Sequence, residues 1–208
     1  MRTKIKICGI TNLKNAREAV ELGVDALGFV FFSESPRYIK PKKARAIINL
    51  LPSFVSRVGL FVNAPKQEVL SVISESRVNL LQFHGDEDEN FCNQFNLPYI
   101  KAISFKDGIN LLEYCHLFAS SSAILIDTYS QEMRGGTGKT FNWDLIPKHL
   151  PLPLIIAGGL DSKNVSSLIN SVNPYGVDVS GGVELYKGIK DYNMMKNFVL
   201  GVNNAAIW

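Results

Sequence analysis

The sequence is poor in cysteine, in net charge and in long apolar runs. Its three cysteines, Cys8, Cys92 and Cys115, are odd in number and widely spaced. Without a CxxC pair there is no zinc-ribbon or thioredoxin-like spacing. Free thiols suit a reducing compartment, so a cytoplasmic location is expected. A net charge of +3 is too weak to mark a nucleic-acid surface. The densest basic cluster, Lys42, Lys43 and Arg45, fits the solvated face of a helix. The longest apolar runs, such as Leu27 to Phe32, are far too short to span a bilayer. Arg2 and Lys4 precede no long apolar stretch, so no signal peptide is expected. Membranes and nucleic acids are therefore not expected as partners.

What remains is an ordinary globular composition, 46% apolar and 20% charged over 208 residues, which suits one domain over 1–208 with a substantial core. Apolar runs predict strands over 4–8, 25–31, 57–62, 79–83, 99–103, 123–126, 154–157 and 176–179. Helical patterns follow them. The first is capped by Thr11 or Asn12 and runs to 22; the second opens at Pro41 and runs to 51. Others are expected over 65–75, 86–95, 108–118 and 143–149, from Asp161 or Ser162 to 171, and over 191–202. The strands are continuous apolar runs rather than alternating ones, as in a parallel sheet covered on both faces. Eight such units predict an α/β fold, a single-domain (β/α)₈ TIM barrel. An open doubly wound sheet is the competing fold. Its glycine fingerprint is missing, because Cys8-Gly9 is followed by Ile10.

In a parallel barrel the chemistry lies at the C-terminal strand ends. That selects Cys8, the stretch 32–37, Asn63, His84, Asp127, Gly158-Gly159 and Ser180-Gly181-Gly182. Two glycine turns on adjacent strands suit a phosphate, which backbone N–H groups bind where no side chain intrudes. Gly135 to Thr140 resembles a nucleotide loop, but Met133 stands where a Walker A motif needs glycine. An active-site lid is the better expectation for it. Asp127 ends an apolar run, where partial desolvation raises a carboxyl pKa and suits a general acid. A helix cap or a salt bridge to Arg134 or Lys139 is the alternative. Cys8 is either core filler or, beside basic groups and a phosphate nest, a thiolate. Arg37 can clamp a carboxylate in two-pronged fashion or lie in solvent. His84 is a substrate contact or a structural support, and Cys92 and Cys115 are packing residues. No metal-ligand cluster, Ser-His-Asp set or cofactor fingerprint is visible. The remaining inventory favours acid/base chemistry, with no cofactor and no metal, on a small phosphorylated substrate.

The ordered pieces Lys6-Ile-Cys-Gly-Ile-Thr, Gly28-Phe-Val-Phe, Ser35-Pro-Arg-Tyr and Val58-Gly-Leu-Phe-Val-Asn resemble those of the phosphoribosylanthranilate isomerases of tryptophan biosynthesis. So do Gln82-Phe-His-Gly-Asp, Gly135-Gly-Thr-Gly-Lys-Thr-Phe-Asn-Trp, Ala157-Gly-Gly-Leu, Val177-Asp-Val-Ser-Gly-Gly-Val-Glu and Gly188-Ile-Lys-Asp. The resemblance spans nearly the whole chain. It implies a (β/α)₈ barrel and an Amadori rearrangement of N-(5-phosphoribosyl)anthranilate. It implies that Asp127 is the general acid, protonating the ribose ring oxygen, and that Cys8 as thiolate is the base at C2. It also implies that Arg37 holds the anthranilate carboxylate, and that Gly159 and the turn from Ser180 to Gly182 hold the phosphate. Two positions depart from the family pattern. Gly181 stands where the family usually has serine, and Lys187 where it often has proline. Competing readings are the related histidine-pathway isomerase, which uses two aspartates, and a silent barrel that only binds a phosphorylated metabolite. A monomer or homodimer is expected.

Overall fold

The computed structural model describes residues 2–104, 110–127, 146–147 and 149–205. Eight strands carry the fold: β1 (Lys4–Cys8), β2 (Ala26–Val30), β3 (Ser56–Phe61), β4 (Leu80–Phe83), β5 (Tyr99–Ser104), β6 (Ala123–Asp127), β7 (Leu154–Ala157) and β8 (Gly176–Val179). Each pairs in parallel with the next, and β8 pairs with β1, closing a single-domain (β/α)₈ barrel. Around it lie α1 (Leu13–Glu21), α2 (Pro41–Ile48), α3 (Lys66–Ser76), α4 (Glu89–Cys92), α5 (Leu111–Leu117), α6 (Val165–Val172) and α7 (Tyr192–Ala205).

Strand side chains alternate between two faces, and here both faces are apolar for different reasons. Ile5, Ile7, Leu27, Phe29, Phe83 and Ile124 face the helices, packing with Ala16, Ala44, Ile47 and Val69. The other parity points into the barrel, where Ile100, Ala102, Ala123, Leu125, Ile155 and Ala157 form their own cluster. That inward parity also carries Lys6, Cys8, Gln82, Asp127 and Asp178. Inside the barrel, Lys6 Nζ meets Asp178 Oδ2 at 2.7 Å, and both side chains are buried.

Local chemistry sets the helix ends. Asn12 caps α1, its side chain accepting from Asn15 N at 2.8 Å. Pro41 occupies the first turn of α2, where its missing N–H costs nothing. The helix expected over 86–95 is shorter than the pattern implied: α4 is followed only by a 3₁₀ turn, Asn93–Phe95. The reason is Glu87. Its carboxylate accepts from Asn63 N at 2.7 Å, from Gly85 N at 2.8 Å and from Lys101 Nζ at 3.0 Å, which fixes 85–87 as a loop. An antiparallel hairpin, β9 (Glu184–Tyr186) with β10 (Ile189–Lys190), precedes α7 and was not expected. The expected lid from Gly135 to Thr140, residues 143–145 and 148 of the helix expected over 143–149, and the start of the helix expected at 108 lie outside the described residues. No helix among the described residues is long and apolar enough to cross a membrane.

Candidate active site

The C-terminal mouth of the barrel opens into a cavity of about 780 Å³. Cys8, Arg37, His84, Asp127, Gly158, Gly159, Ser180, Gly181 and Gly182 all line it. Asn63, also at a strand end, does not. Its side chain instead accepts from Asp86 N at 2.7 Å and ties two loops together.

Cys8 ends β1 with its side chain turned inward, only 6% exposed. Burial pushes the thiol up; the ammonium of Lys6 pulls it down, Asp178 pushes it up again and Lys190 pulls it down, and the balance stays above the ordinary thiol value. Asp127 ends β6 across the mouth. His84 Nε2 lies 3.5 Å from Asp127 Oδ2, and His84 Nδ1 lies 3.2 Å from the Gln82 amide nitrogen. With the amide so oriented, Nδ1 accepts and the ring N–H on Nε2 faces the carboxylate.

Arg37 is neither solvent-exposed nor wholly available. Its Nε and Nη2 donate to Glu184 Oε1 and Oε2 at 2.8 and 2.7 Å, which holds its guanidinium well charged. The fork expected for a ligand is thus closed on one edge. The outer edge, Nη1 with the second hydrogen of Nη2, is the one left for a ligand. Its stem passes over Gly9, whose φ is +81°; a Cβ there would sit 2.5 Å from Arg37 Cδ.

At the far side, Gly158 and Gly159 have φ of +88° and +63°, a left-handed pair that turns the chain sharply after β7. Asp161 then organises the start of α6, its Oδ1 accepting from Lys163 N at 2.7 Å and Asn164 N at 3.2 Å. After β8, a 3₁₀ turn spans Gly181–Val183. Gly182 packs so closely that a Cβ would lie 1.8 Å from the Leu160 carbonyl oxygen. The two glycine turns are therefore in direct contact, forming one wall of the cavity.

Sequence reasoning missed the polar groups behind this wall. Gln82 and Asp178 line the cavity, and their Oε1 and Oδ1 are buried without a hydrogen-bond partner among the described residues. Lys6, Glu184 and Lys190 form buried ion pairs. The signal was present: charged residues inside otherwise apolar strand runs, which burial tolerates only when paired.

A family model for N-(5'-phosphoribosyl)anthranilate (PRA) isomerase matches residues 5–200. An N-(5'-phosphoribosyl)anthranilate isomerase of Nitrosospira multiformis is 49% identical over 202 residues, covering 97% of each chain. One from Pseudomonas fluorescens is 50% identical over 197 residues, covering 95% of this chain and 97% of the relative. The crystal structure of the Thermotoga maritima phosphoribosylanthranilate isomerase superposes with a TM-score of 0.86 at 42% identity, covering 97% of this chain and 99% of that one. A phosphoribosylanthranilate isomerase structure in complex with reduced 1-(o-carboxyphenylamino)-1-deoxyribulose 5-phosphate gives a TM-score of 0.83 at 39% identity over the same shares. With the family's fold, its motifs in order and a match over almost its full length, the chain belongs to the N-(5'-phosphoribosyl)anthranilate isomerase family.

Proposed function

We propose that this chain is an aldose–ketose isomerase of tryptophan biosynthesis. Without a cofactor, it converts N-(5-phosphoribosyl)anthranilate to 1-(2-carboxyphenylamino)-1-deoxyribulose 5-phosphate. The supporting observation is that an acid, a thiol, a guanidinium and two glycine turns all face one cavity. The substrate carries matching groups: a ring oxygen, an acidic C–H, a carboxylate and a phosphate.

Asp127 gives its proton to the ribose ring oxygen as the C1–O bond breaks. The anilino nitrogen supplies the electron pair that forms C1=N, leaving a protonated Schiff base. Cys8 as thiolate takes the proton from C2. The C–H pair becomes the C1=C2 bond and neutralises the nitrogen, giving an enolamine. The enolamine becomes the ketose when its C2 hydroxyl gives up one proton and C1 receives one. The cation formed at C1 acidifies the C2–H and favours the charged thiolate that faces it.

Arg37 meets the anthranilate carboxylate through its outer Nη edge. The backbone N–H groups of Gly158, Gly159 and the Ser180–Gly182 turn hold the phosphate, and His84 lies against the substrate beside Asp127. We take 1–208 as one isomerase domain, cytoplasmic, monomeric or homodimeric. A second copy is favoured by Phe54, which is fully exposed on the rim of a cavity of about 280 Å³ at the other end of the barrel. A two-fold axis through that face would seat each Phe54 against the partner's cavity. A related Thermotoga maritima enzyme is described as dimeric. Sedimentation of the wild type and Phe54→Glu decides between monomer and dimer.

The decisive assay follows the fluorescence of phosphoribosylanthranilate. The intact chain should consume it, and Cys8→Ala should not. Retained phosphate binding with no turnover by the intact chain would favour the silent barrel instead.

A further inference from the structure

Behind the cavity wall lie two charged side chains, Glu184 and Lys190, that do not line the cavity but link two parts of its lining, Arg37 and the turn after β8. Lys190 Nζ has three hydrogens and three acceptors: Glu184 Oε1 at 2.8 Å, Ser180 O at 3.1 Å and Ser180 Oγ at 3.3 Å. None is left for a phosphate. Glu184 Oε1 also accepts from Arg37 Nε and from Gly188 N at 3.1 Å, and Oε2 accepts from Arg37 Nη2. Ser180 Oγ in turn donates to the Cys8 carbonyl at 3.0 Å. One continuous chain of contacts thus runs from the guanidinium, through a buried carboxylate and ammonium, to the turn after β8 and the end of β1.

The hairpin that carries this bridge is pinned to α1 and the loop before it. Asn15 accepts from Lys190 N at 3.0 Å and donates to Lys190 O at 2.9 Å, and Thr11 Oγ1 donates to Gly188 O at 2.5 Å. The Lys190 side chain is wholly buried and that of Glu184 nearly so. Burying charges yields little net stability compared with apolar packing, even when they are well paired. What this bridge does supply is geometry: a guanidinium with one edge fixed has only one orientation for the other.

We propose that Glu184 and Lys190 are positioning residues that set the distance between the carboxylate and phosphate subsites. Glu184 aims the outer edge of Arg37, and Lys190 holds the Ser180–Gly182 turn. The inference rests on the reading that Arg37 meets the anthranilate carboxylate and the glycine turns meet the phosphate.

The test uses the full chain and two probes that each report one end, anthranilate and inorganic phosphate, as competitive inhibitors. Glu184→Gln should weaken anthranilate roughly tenfold and phosphate far less. Lys190→Met should show the reverse. Both should raise KM more than they lower kcat. Glu184→Gln should add little to Arg37→Lys, because it acts through Arg37. Glu184→Asp keeps the charge but is too short to hold both guanidinium nitrogens, and it should repeat the anthranilate loss even where Glu184→Gln fails to fold. Unchanged anthranilate binding in the Glu184 variants, with Arg37→Lys still weakening it, would overturn the inference alone. Unchanged anthranilate binding in Arg37→Lys would overturn the underlying reading. Equal losses for both probes in every variant would reduce the bridge to a structural element.

Discussion

The sulfur of Cys8 lies where a side chain on Gly28 would begin. The two are register partners on β1 and β2, and a Cβ on Gly28 would sit 2.7 Å from Sγ and 3.0 Å from Cys8 Cα. Gly28 also gives its carbonyl to Gly9 N and Ile10 N, which turns the chain just after the thiol. Gly28→Ala should therefore displace the thiol and strain β1, at a cost of about 1–3 kcal/mol in stability. Turnover should fall by about tenfold or more if the thiol is the base, since a small misplacement of a reacting group is expensive. Denaturant unfolding and kcat, measured on the same preparation, check this; unchanged kcat would show that the sulfur's place does not matter.

Cys8→Ala should lower kcat by ~10² or more with the fold retained. The resting thiol has a further signature. Because burial outweighs the pull of Lys6 and Lys190, alkylation of Cys8 by iodoacetamide should be slow at neutral pH. It should keep rising beyond the ordinary thiol pKa of about 8.5. Mass spectrometry of the modified peptide reads the rate. A plateau already reached at pH 7 would show a preformed thiolate.

Asp127→Asn keeps the shape of the side chain and removes its ability to give up a proton. The kcat should fall by ~10² or more while product-like inhibitors still bind. A change confined to KM would make Asp127 a binding residue.

The barrel was legible because its strands are short, apolar and regularly spaced. Ends such as Lys4–Cys8, Leu154–Ala157 and Gly176–Val179 fall where the pattern places them. The cavity rim followed from the fold, since strand ends share one mouth. Pairings across the sequence were not legible. Nothing local tells that Glu184 will close on Arg37, 147 residues away, or that Lys6 will meet Asp178. The short α4 was missed for the same reason: Glu87 looks like a helix-start carboxylate until Asn63 and Lys101 claim it. The hairpin of Glu184–Tyr186 with Ile189–Lys190 is too short to show a period, and only Gly188, at φ +83°, marks its turn.

Cys92 gives a stability prediction of definite sign. Burial is the main cause that pushes its thiol up to about 12, with Lys101 opposing and Glu87, Asp88 and Glu89 adding to the rise. A folded pKa above the unfolded one gives stability that is complete below about pH 8.5 and is lost as pH rises toward the folded value. Between pH 9 and 10.5 the wild type should lose up to about 1.4 kcal/mol per pH unit more than Cys92→Ala. Urea unfolding at a series of pH values measures both slopes. Parallel slopes would mean that Cys92 reaches solvent in the native state.

Gly181 is the departure from the family pattern whose effect is most open to measurement. A left-handed backbone there would have barred serine, but Gly181 is not among the positive-φ glycines, so the backbone accepts a side chain. A Cβ at Gly181 would have one neighbour within 4 Å, Arg37 Nη2 at 3.4 Å, which is ordinary contact. The turn's hold on phosphate comes from backbone N–H groups, which the substitution keeps. An added hydroxyl supplies one neutral hydrogen bond, worth about 0.5–1.5 kcal/mol net, or a factor of roughly 2 to 13. Gly181→Ser should therefore lower KM and the inhibition constant of inorganic phosphate by up to about tenfold, with kcat nearly unchanged. Because the new group sits beside Arg37, anthranilate inhibition should be followed in parallel. Its weakening alone would mean that the serine disturbs the guanidinium. A large fall in kcat at constant KM would show that this turn acts on the transition state and is not a ground-state phosphate holder.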